Sequence, residues 1–303
     1  MTASELTAPP ATGLGIRDLT VRIPLRPGAV VHAVTEVSLD VAPGMVTALV
    51  GESGCGKSMV AAAVLGMLPS NSQVTGTVTL RLGARSVNVL ADAGSYRGRN
   101  VALVPQSPAT HFTPVRTIGS QLAETIRAVG TGYTCAELAA RADFPESALT
   151  RYPHELSGGM AQRAAIAAAL AGDPEVIVAD EPTSGLDRAR TDRTLKLLRR
   201  CADDGAAVLL ITHDLGALAR TGVADQLAVM YASHLLETGA AAAVLDDPWH
   251  PYTRDLLAAL PARGMHPLPH PPPELTNLSL DRPYLGHGAL IAKGPRMIRE
   301  GER

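Results

Sequence analysis

The residues that could do chemistry are concentrated in a few short runs. The first is Gly51-Glu52-Ser53-Gly54-Cys55-Gly56-Lys57-Ser58, which fits the phosphate-loop pattern G-x-x-x-x-G-K-[ST]. Glycines at that spacing let the backbone turn so that successive N–H groups and a helix N-terminus face an anion. Lys57 can reach the β- and γ-phosphates of a nucleotide, and the Ser58 hydroxyl can hold Mg2+. The second run is Asp180-Glu181, two adjacent acids after the apolar stretch Val176 to Ala179. At the end of a buried strand, Asp180 suits Mg2+ and Glu181 suits the water that attacks a γ-phosphate. A third candidate, His213, follows the apolar run Ala207 to Ile211. No [NT]-K-x-D segment is present to read guanine, which disfavours a GTPase.

The elements that must position these groups follow from periodicity. Met45 to Val50 reads as a buried strand and Met59 to Leu68 as a helix, the two flanks that a phosphate loop requires. Leu19 to Ile23, Val34 to Val41 and Val74 to Leu82 alternate apolar and polar residues, as half-buried antiparallel strands do, with a turn at Pro24 to Gly28. Val101 to Val104, Val176 to Ala179, Ala207 to Ile211, Gln226 to Tyr231 and His234 to Glu237 add further strands. Helical spacing appears between Thr117 and Thr150, in the Ala-rich segment Ala161 to Ala171, and in the basic segment Arg188 to Cys201. The arginines of that last segment read as a solvated face, because no aromatic residues are interleaved among them. Strands alternating with helices imply an α/β fold with a mostly parallel core sheet, an antiparallel β layer and a small helical subdomain.

Composition narrows the class. The 303 residues, 46% of them hydrophobic, suffice for one large domain with additions. A net charge of −2 gives no global field for nucleic acid, and no apolar run is long enough to span a membrane. No secretory leader is visible at the N-terminus. The three cysteines, Cys55, Cys135 and Cys201, are too scattered for a disulfide framework or a zinc site, which fits a reducing compartment. Cys55 lies in the phosphate loop, yet reads as a small residue that fits there rather than a reactive thiol. Residues 1–13 read as a flexible tail, 14–245 as the nucleotide-binding domain with its helical subdomain at about 107–171, and 246–303 as a C-terminal extension. In that extension a short helix, Arg254 to Leu260, precedes a Pro-rich stretch, residues 261–275, and the segment from Arg282 onward reads as an extended basic tail.

Taken in order, these runs resemble the nucleotide-binding subunit of an ATP-binding cassette (ABC) transporter, a P-loop NTPase fold. Leu156-Ser157-Gly158-Gly159-Met160 resembles the family signature, Gln106 the Q-loop glutamine, Ser184-Gly185-Leu186-Asp187 the D-loop and His213 the switch histidine. The resemblance covers about residues 14–262. It implies that two subunits close head to tail on two ATP molecules, with Ser157, Gly158 and Gly159 of one chain facing the phosphate loop of the other. It implies Mg2+ held at Ser58, Gln106 and Asp180, with Lys57, Glu181 and His213 catalytic. Val104-Pro105-Gln106-Ser107-Pro108, Tyr152-Pro153-His154-Glu155-Leu156 and His250-Pro251-Tyr252-Thr253 resemble the dipeptide, oligopeptide and nickel importer branch.

That branch implies two permease subunits, a second ATPase subunit (identical or homologous), an extracytoplasmic binding protein, and a place on the cytoplasmic face of the membrane, with no nucleic-acid partner. Peptides are the implied cargo, with nickel or a metal chelate as the alternative. A non-transport ABC protein and a nucleotide-holding regulatory subunit are the other readings. Three departures from the branch stand out. Ile23 lies where an adenine-stacking aromatic is usual, and no Tyr or Phe precedes Gly51. The stretch from Gln106 to Ser157 is short. No cysteine follows Cys201, so no iron–sulfur cluster is expected, and His266, His270 and His287 are too scattered to replace one.

Overall fold

In the computed structural model the described residues are 13–299, except 84, 92, 93, 95, 280–282, 286 and 287. Of the stretch expected to be a tail, residues 1–12 lie outside this set, and Gly13 opens the first strand; His287 also lies outside it. The chain runs β1 (Gly13–Arg26), β2 (Ala29–Val41), β3 (Val46–Val50), α1 (Lys57–Val64), β4 (Gln73–Leu82), β5 (Arg85–Asn88) and β6 (Val101–Val104). It continues through α2 (Pro108–His111), α3 (Ile118–Val129), α4 (Cys135–Arg141), α5 (Gly158–Ala169), β7 (Val176–Asp180), α6 (Arg188–Asp203), β8 (Ala207–Thr212) and α7 (Leu215–Thr221). It ends with β9 (Gln226–Tyr231), β10 (His234–Ala240), α8 (Ala241–Asp246), α9 (Pro251–Ala258), β11 (Leu290–Lys293) and β12 (Arg296–Arg299).

Two sheets organise these elements. The antiparallel layer has the order β2-β1-β4-β5, and the core sheet the order β11-β12-β10-β9-β3-β8-β7-β6. Within the core sheet β9, β3, β8, β7 and β6 are parallel neighbours, and β10, β12 and β11 are added antiparallel at one edge. All residues of β3 and β8 are buried, as strands covered on both faces must be. Alternation along β3 divides the core. Val46, Ala48 and Val50 pack towards the helices, while Leu49 packs with Leu14, Ile16, Val34 and Val37 of the antiparallel layer.

Helix ends explain why the motifs fall at junctions. Asp187 caps α6 by accepting the Arg190 N–H, and Asp214 caps α7 by accepting the Ala217 N–H. Thr134 and Glu137 form a capping box on α4, and Thr117 caps α3. No helix among the described residues is long and apolar enough to cross a membrane.

The C-terminal extension departs from the expected tail. Residues 261–275 form no strand, as their prolines dictate. Leu275 and Asn277 nevertheless hydrogen-bond the free edge of β2, with His32 N donating to Leu275 O and Asn277 N donating to Val30 O. Beyond them β11 and β12 form a hairpin that joins the core sheet through β10. Arg296 of β12 reaches the fully buried carboxylate of Glu237 and stacks on Trp249. A hairpin rich in charge at the sheet edge lacks the apolar run that would mark a buried strand.

Two buried histidines set a pH dependence. His234 opens β10, and His250 caps α9 by accepting the Tyr252 N–H at Nδ1. Burial pushes each imidazole down to about 4. The unfolded chain takes up these protons near pH 6.5, the folded chain only near pH 4. Their contribution to stability is therefore complete above pH 6.5 and is lost as pH falls from 6.5 to about 4, by on the order of 3 kcal/mol each. Denaturant titrations at pH 7.5 and 5 should show this loss, and His250→Asn, which keeps a capping acceptor, should remove roughly half of the histidine-dependent part.

Candidate nucleotide site

The site is built where β3, β7 and β8 end. The backbone after Val50 turns through Gly51–Gly56 and enters α1 at Lys57. Gly56 lies at φ 109°, a conformation that side chains avoid, and a Cβ there would stand 2.1 Å from the Ala33 carbonyl oxygen of β2. The loop is thus pressed against the antiparallel layer. Ser233, in the β9–β10 turn, supports it from another side: its N–H donates to Cys55 O, and its hydroxyl is 2.8 Å from that of Thr35.

Lys57 is 6% exposed, and its Nζ donates to the carbonyl oxygens of Gly51 and Glu52 at 2.9 and 2.8 Å. A buried ammonium needs such partners, and here they aim it into the loop. Cys55 is buried beside it, and burial raises the thiol above its ordinary value, so the inert reading of this cysteine agrees with its surroundings. Ser53 and Gly54 are exposed at the loop crest, as phosphate-facing residues should be. The carboxyl of Glu52 is raised by partial burial, an effect opposed by the Tyr252 hydroxyl and by Lys57.

Across the loop Asp180 ends β7, and Ser58 Oγ donates to its Oδ1 at 3.2 Å. Burial is the largest cause that raises the Asp180 carboxyl, and the neighbouring Glu181 adds to it. The Ser58 hydroxyl and the Asp180 carboxylate are hard oxygen donors, and a divalent cation would relieve the crowding of negative charge at Asp180, so the pair fits Mg2+. Glu181 adopts φ 47°, unusual for a residue with a side chain, and is fixed by its N–H to Ile211 O and by the Ser184 N–H to its own carbonyl. His213, at the end of β8, brings Nδ1 within 2.8 Å of Glu181 Oε2. That carboxylate oxygen has no aligned hydrogen-bond partner among the described residues, so the approach is a close contact and not a formed hydrogen bond.

Two further expected parts are largely open to solvent. Gln106 follows β6 and is exposed. Ser157, Gly158 and Gly159 form the start of α5, where Ser157 makes no side-chain cap bond and the Ser157 and Gly158 positions are open to solvent. Arg190 packs over Gly159 from α6. One participant was not assigned from the residues alone. The Tyr252 hydroxyl lies 3.3 Å from Glu52 N and 3.2 Å from Glu52 Oε2. Its only sequence signal was the His-Pro-Tyr-Thr run, 200 positions away.

Comparison with known proteins gives this geometry its family. The ABC transporter family model matches residues 34–184. The probable peptide ABC transporter ATP-binding protein y4tR of Sinorhizobium fredii is 37% identical over 261 residues, 82% of this chain and 77% of that protein. The chain belongs to the ATP-binding proteins of the ABC transporter family. It is also 39% identical over 281 residues to the oligopeptide transport ATP-binding protein OppD of Mycobacterium tuberculosis, covering 87% of this chain and 45% of that protein. The chain thus spans about half the length of that relative. A solved dimeric ATP-binding cassette, in a post-hydrolysis state bound to ADP and phosphate, shares the fold with a TM-score of 0.63 at 23% identity, over 75% of this chain and 98% of that one. The mostly parallel core sheet with its antiparallel layer is the cassette fold.

The loop geometry separates two glycine substitutions. Gly56→Ala would drive a methyl into Ala33 O and should abolish measurable ATP binding and lower the thermal midpoint. Gly54→Ala meets no atom within 4 Å and carries only the strain of φ 82°, costing roughly 1–2 kcal/mol of stability. Calorimetric ATP titration and thermal melts of both variants check this.

Proposed function

We propose that this cassette hydrolyses MgATP at the loop–strand cluster and couples the cycle to import of di- or oligopeptides through a partner permease. The observation that carries the proposal is the convergence of Lys57, Ser58, Asp180, Glu181 and His213 at the ends of three neighbouring parallel strands. Lys57 stabilises charge on the transferred phosphoryl group, and the loop N–H groups from Ser53 to Ser58 cradle the phosphates. Ser58 and Asp180 would hold Mg2+, with Gln106 as a further ligand. Bound there, the cation would offset charge on the β- and γ-phosphates. Glu181 orients the attacking water and accepts its proton, and His213 leaves Glu181 to contact the γ-phosphate.

The uncapped start of α5 supports a head-to-tail dimer. Its unused Ser157 hydroxyl and N-terminal N–H groups suit the γ-phosphate of ATP on a second ATPase subunit, identical or homologous. The solved relative is itself dimeric. A groove of about 360 Å³ between the core and the helical subdomain supports permease docking. Leu65, Met67, Leu103, Pro105 and Phe112 give it apolar walls, which fit a short amphipathic helix from one of two permease subunits. The peptide cargo is supported by the similarity to OppD, an oligopeptide transport ATP-binding protein, and to y4tR, a probable peptide ABC transporter ATP-binding protein. Docking on a permease would place the chain at the cytoplasmic face of the membrane. An extracytoplasmic binding protein completes that assembly.

A regulatory subunit that holds nucleotide without turning it over is the rival reading, favoured by Ile23 at the adenine position. Turnover at this chain's own loop separates the two. Glu181→Gln should keep ATP affinity while steady-state hydrolysis in the assembled complex falls roughly 10²–10⁴-fold. Unchanged hydrolysis would remove Glu181 from the reaction. Tagged chain from gently solubilised membranes should bring down permease subunits and a binding protein, identified by mass spectrometry. Recovery with ribosomes or DNA instead would overturn the transport reading.

A further inference from the structure

We infer that Tyr252 is a positioning residue for the phosphate loop: its hydroxyl locks Glu52 and, through Glu52, the aim of Lys57. The inference rests on Lys57 being the phosphate anchor. Besides the loop bond from the Cys55 N–H to the Glu52 carbonyl, three bonds meet at Glu52. Its N–H donates to the Tyr252 hydroxyl oxygen at 3.3 Å, that hydroxyl donates in turn to Glu52 Oε2 at 3.2 Å, and its carbonyl accepts Lys57 Nζ at 2.8 Å. A phenol has one hydrogen to donate and lone pairs to accept, so the two Tyr252 contacts satisfy it completely. One residue is thereby held at its amide, its side chain and its carbonyl, and the carbonyl is half of the cradle that orients the ammonium.

The position of Tyr252 is itself built. The ring is fully buried, 4.6 Å from the Tyr231 ring at the end of β9 and 5.4 Å from that of Tyr284. His250 caps the helix start by accepting the Tyr252 N–H, and Pro251 occupies the first helical position. Beneath them the N–H groups of Trp249 and His250 donate to Glu237, which Arg296 of the C-terminal hairpin also reaches. A continuous set of bonded groups therefore runs from β12 to the phosphate loop. Glu52 N–H precedes the loop residues whose amides face phosphate, so engaging Tyr252 removes no phosphate donor. The lock can persist when nucleotide is bound.

The test is nucleotide affinity of the full chain, by calorimetry with MgATP and MgADP. Tyr252→Phe keeps the ring stack and deletes both bonds; its Kd should rise roughly five- to thirty-fold for each nucleotide, the loss of one to two buried hydrogen bonds. Tyr284→Phe deletes a hydroxyl bonded to Asp255 in the same aromatic cluster and should leave both Kd values within about twofold of the parent, at a comparable loss of thermal stability. In a Lys57→Ala background, Tyr252→Phe should add no further loss, because the effect travels through the lysine. Unchanged affinity in Tyr252→Phe, an equal loss in Tyr284→Phe, or additive losses with Lys57→Ala would each overturn the inference. Parent-like ATP affinity in Lys57→Ala alone would instead overturn the anchor reading on which it rests.

Discussion

A buried ammonium is the constraint on which the rest of this structure depends. Lys57 is almost completely withdrawn from water, and a lone buried cation is too costly to keep without partners. The Gly51 and Glu52 carbonyls supply them, but only if the backbone folds back on itself between those residues and Lys57. That return passes through a positive φ at Gly56, and the Ala33 carbonyl of β2 lies so close behind it that no side chain could stand there. The antiparallel layer is therefore more than a cover for the core sheet. It is the wall against which the phosphate loop is formed, and the Thr35–Ser233–Cys55 contacts tie the same wall to the β9–β10 turn.

The opposite side of the site is governed by charge of the other sign. Asp180 and Glu181 are adjacent, partly buried, and raised or strained rather than relaxed. A fold that wanted only stability would not place two acids there. Their cost is met by rigid neighbours: Ser58 on one, His213 beside the other, and the β8 backbone holding the Glu181 peptide. The arrangement sets negative charge near enough to the loop's ammonium for Lys57 to act on Asp180. Gln106, just after β6, and the start of α5 are exposed, on elements that lead into and out of the helical segments.

Much of this was legible in the residues, and the reason is local. Phosphate loops, capping aspartates and fully buried strands are specified by neighbours within a few positions, so β3, β6, β7, β8 and α6 fell close to their expected limits. Asp187 was visible as a motif residue and proves to be a helix cap as well. Weaker local signals were missed. β5 has four residues with one buried side chain, and α7 has seven residues set by its cap more than by periodicity. The β11–β12 hairpin is charged and half exposed, so its strand character comes from pairing with β10 rather than from its own pattern. Tyr252 was legible as part of a run but not as a neighbour of Glu52, since that contact is purely tertiary.

The C-terminal segment shows how a stretch that cannot build a core of its own becomes ordered. Prolines from 261 to 275 remove donors and fix φ, which forbids a sheet but lowers the entropy lost on docking. The segment then borrows what it lacks at separate points. It takes the free edge of β2 at Leu275 and Asn277, a core position for Leu278 and Leu285, and the buried Glu237 for Arg296. The β2 attachment lies beside Val31, which pairs with Ile23, the position where an adenine-stacking aromatic would be expected. Edge pairing stiffens the hairpin backbone whatever side chain stands at residue 23. The attachments at β2 and Tyr252 therefore hold the segment against both sheets that form the phosphate loop, so its order and that of the nucleotide site arise from shared contacts.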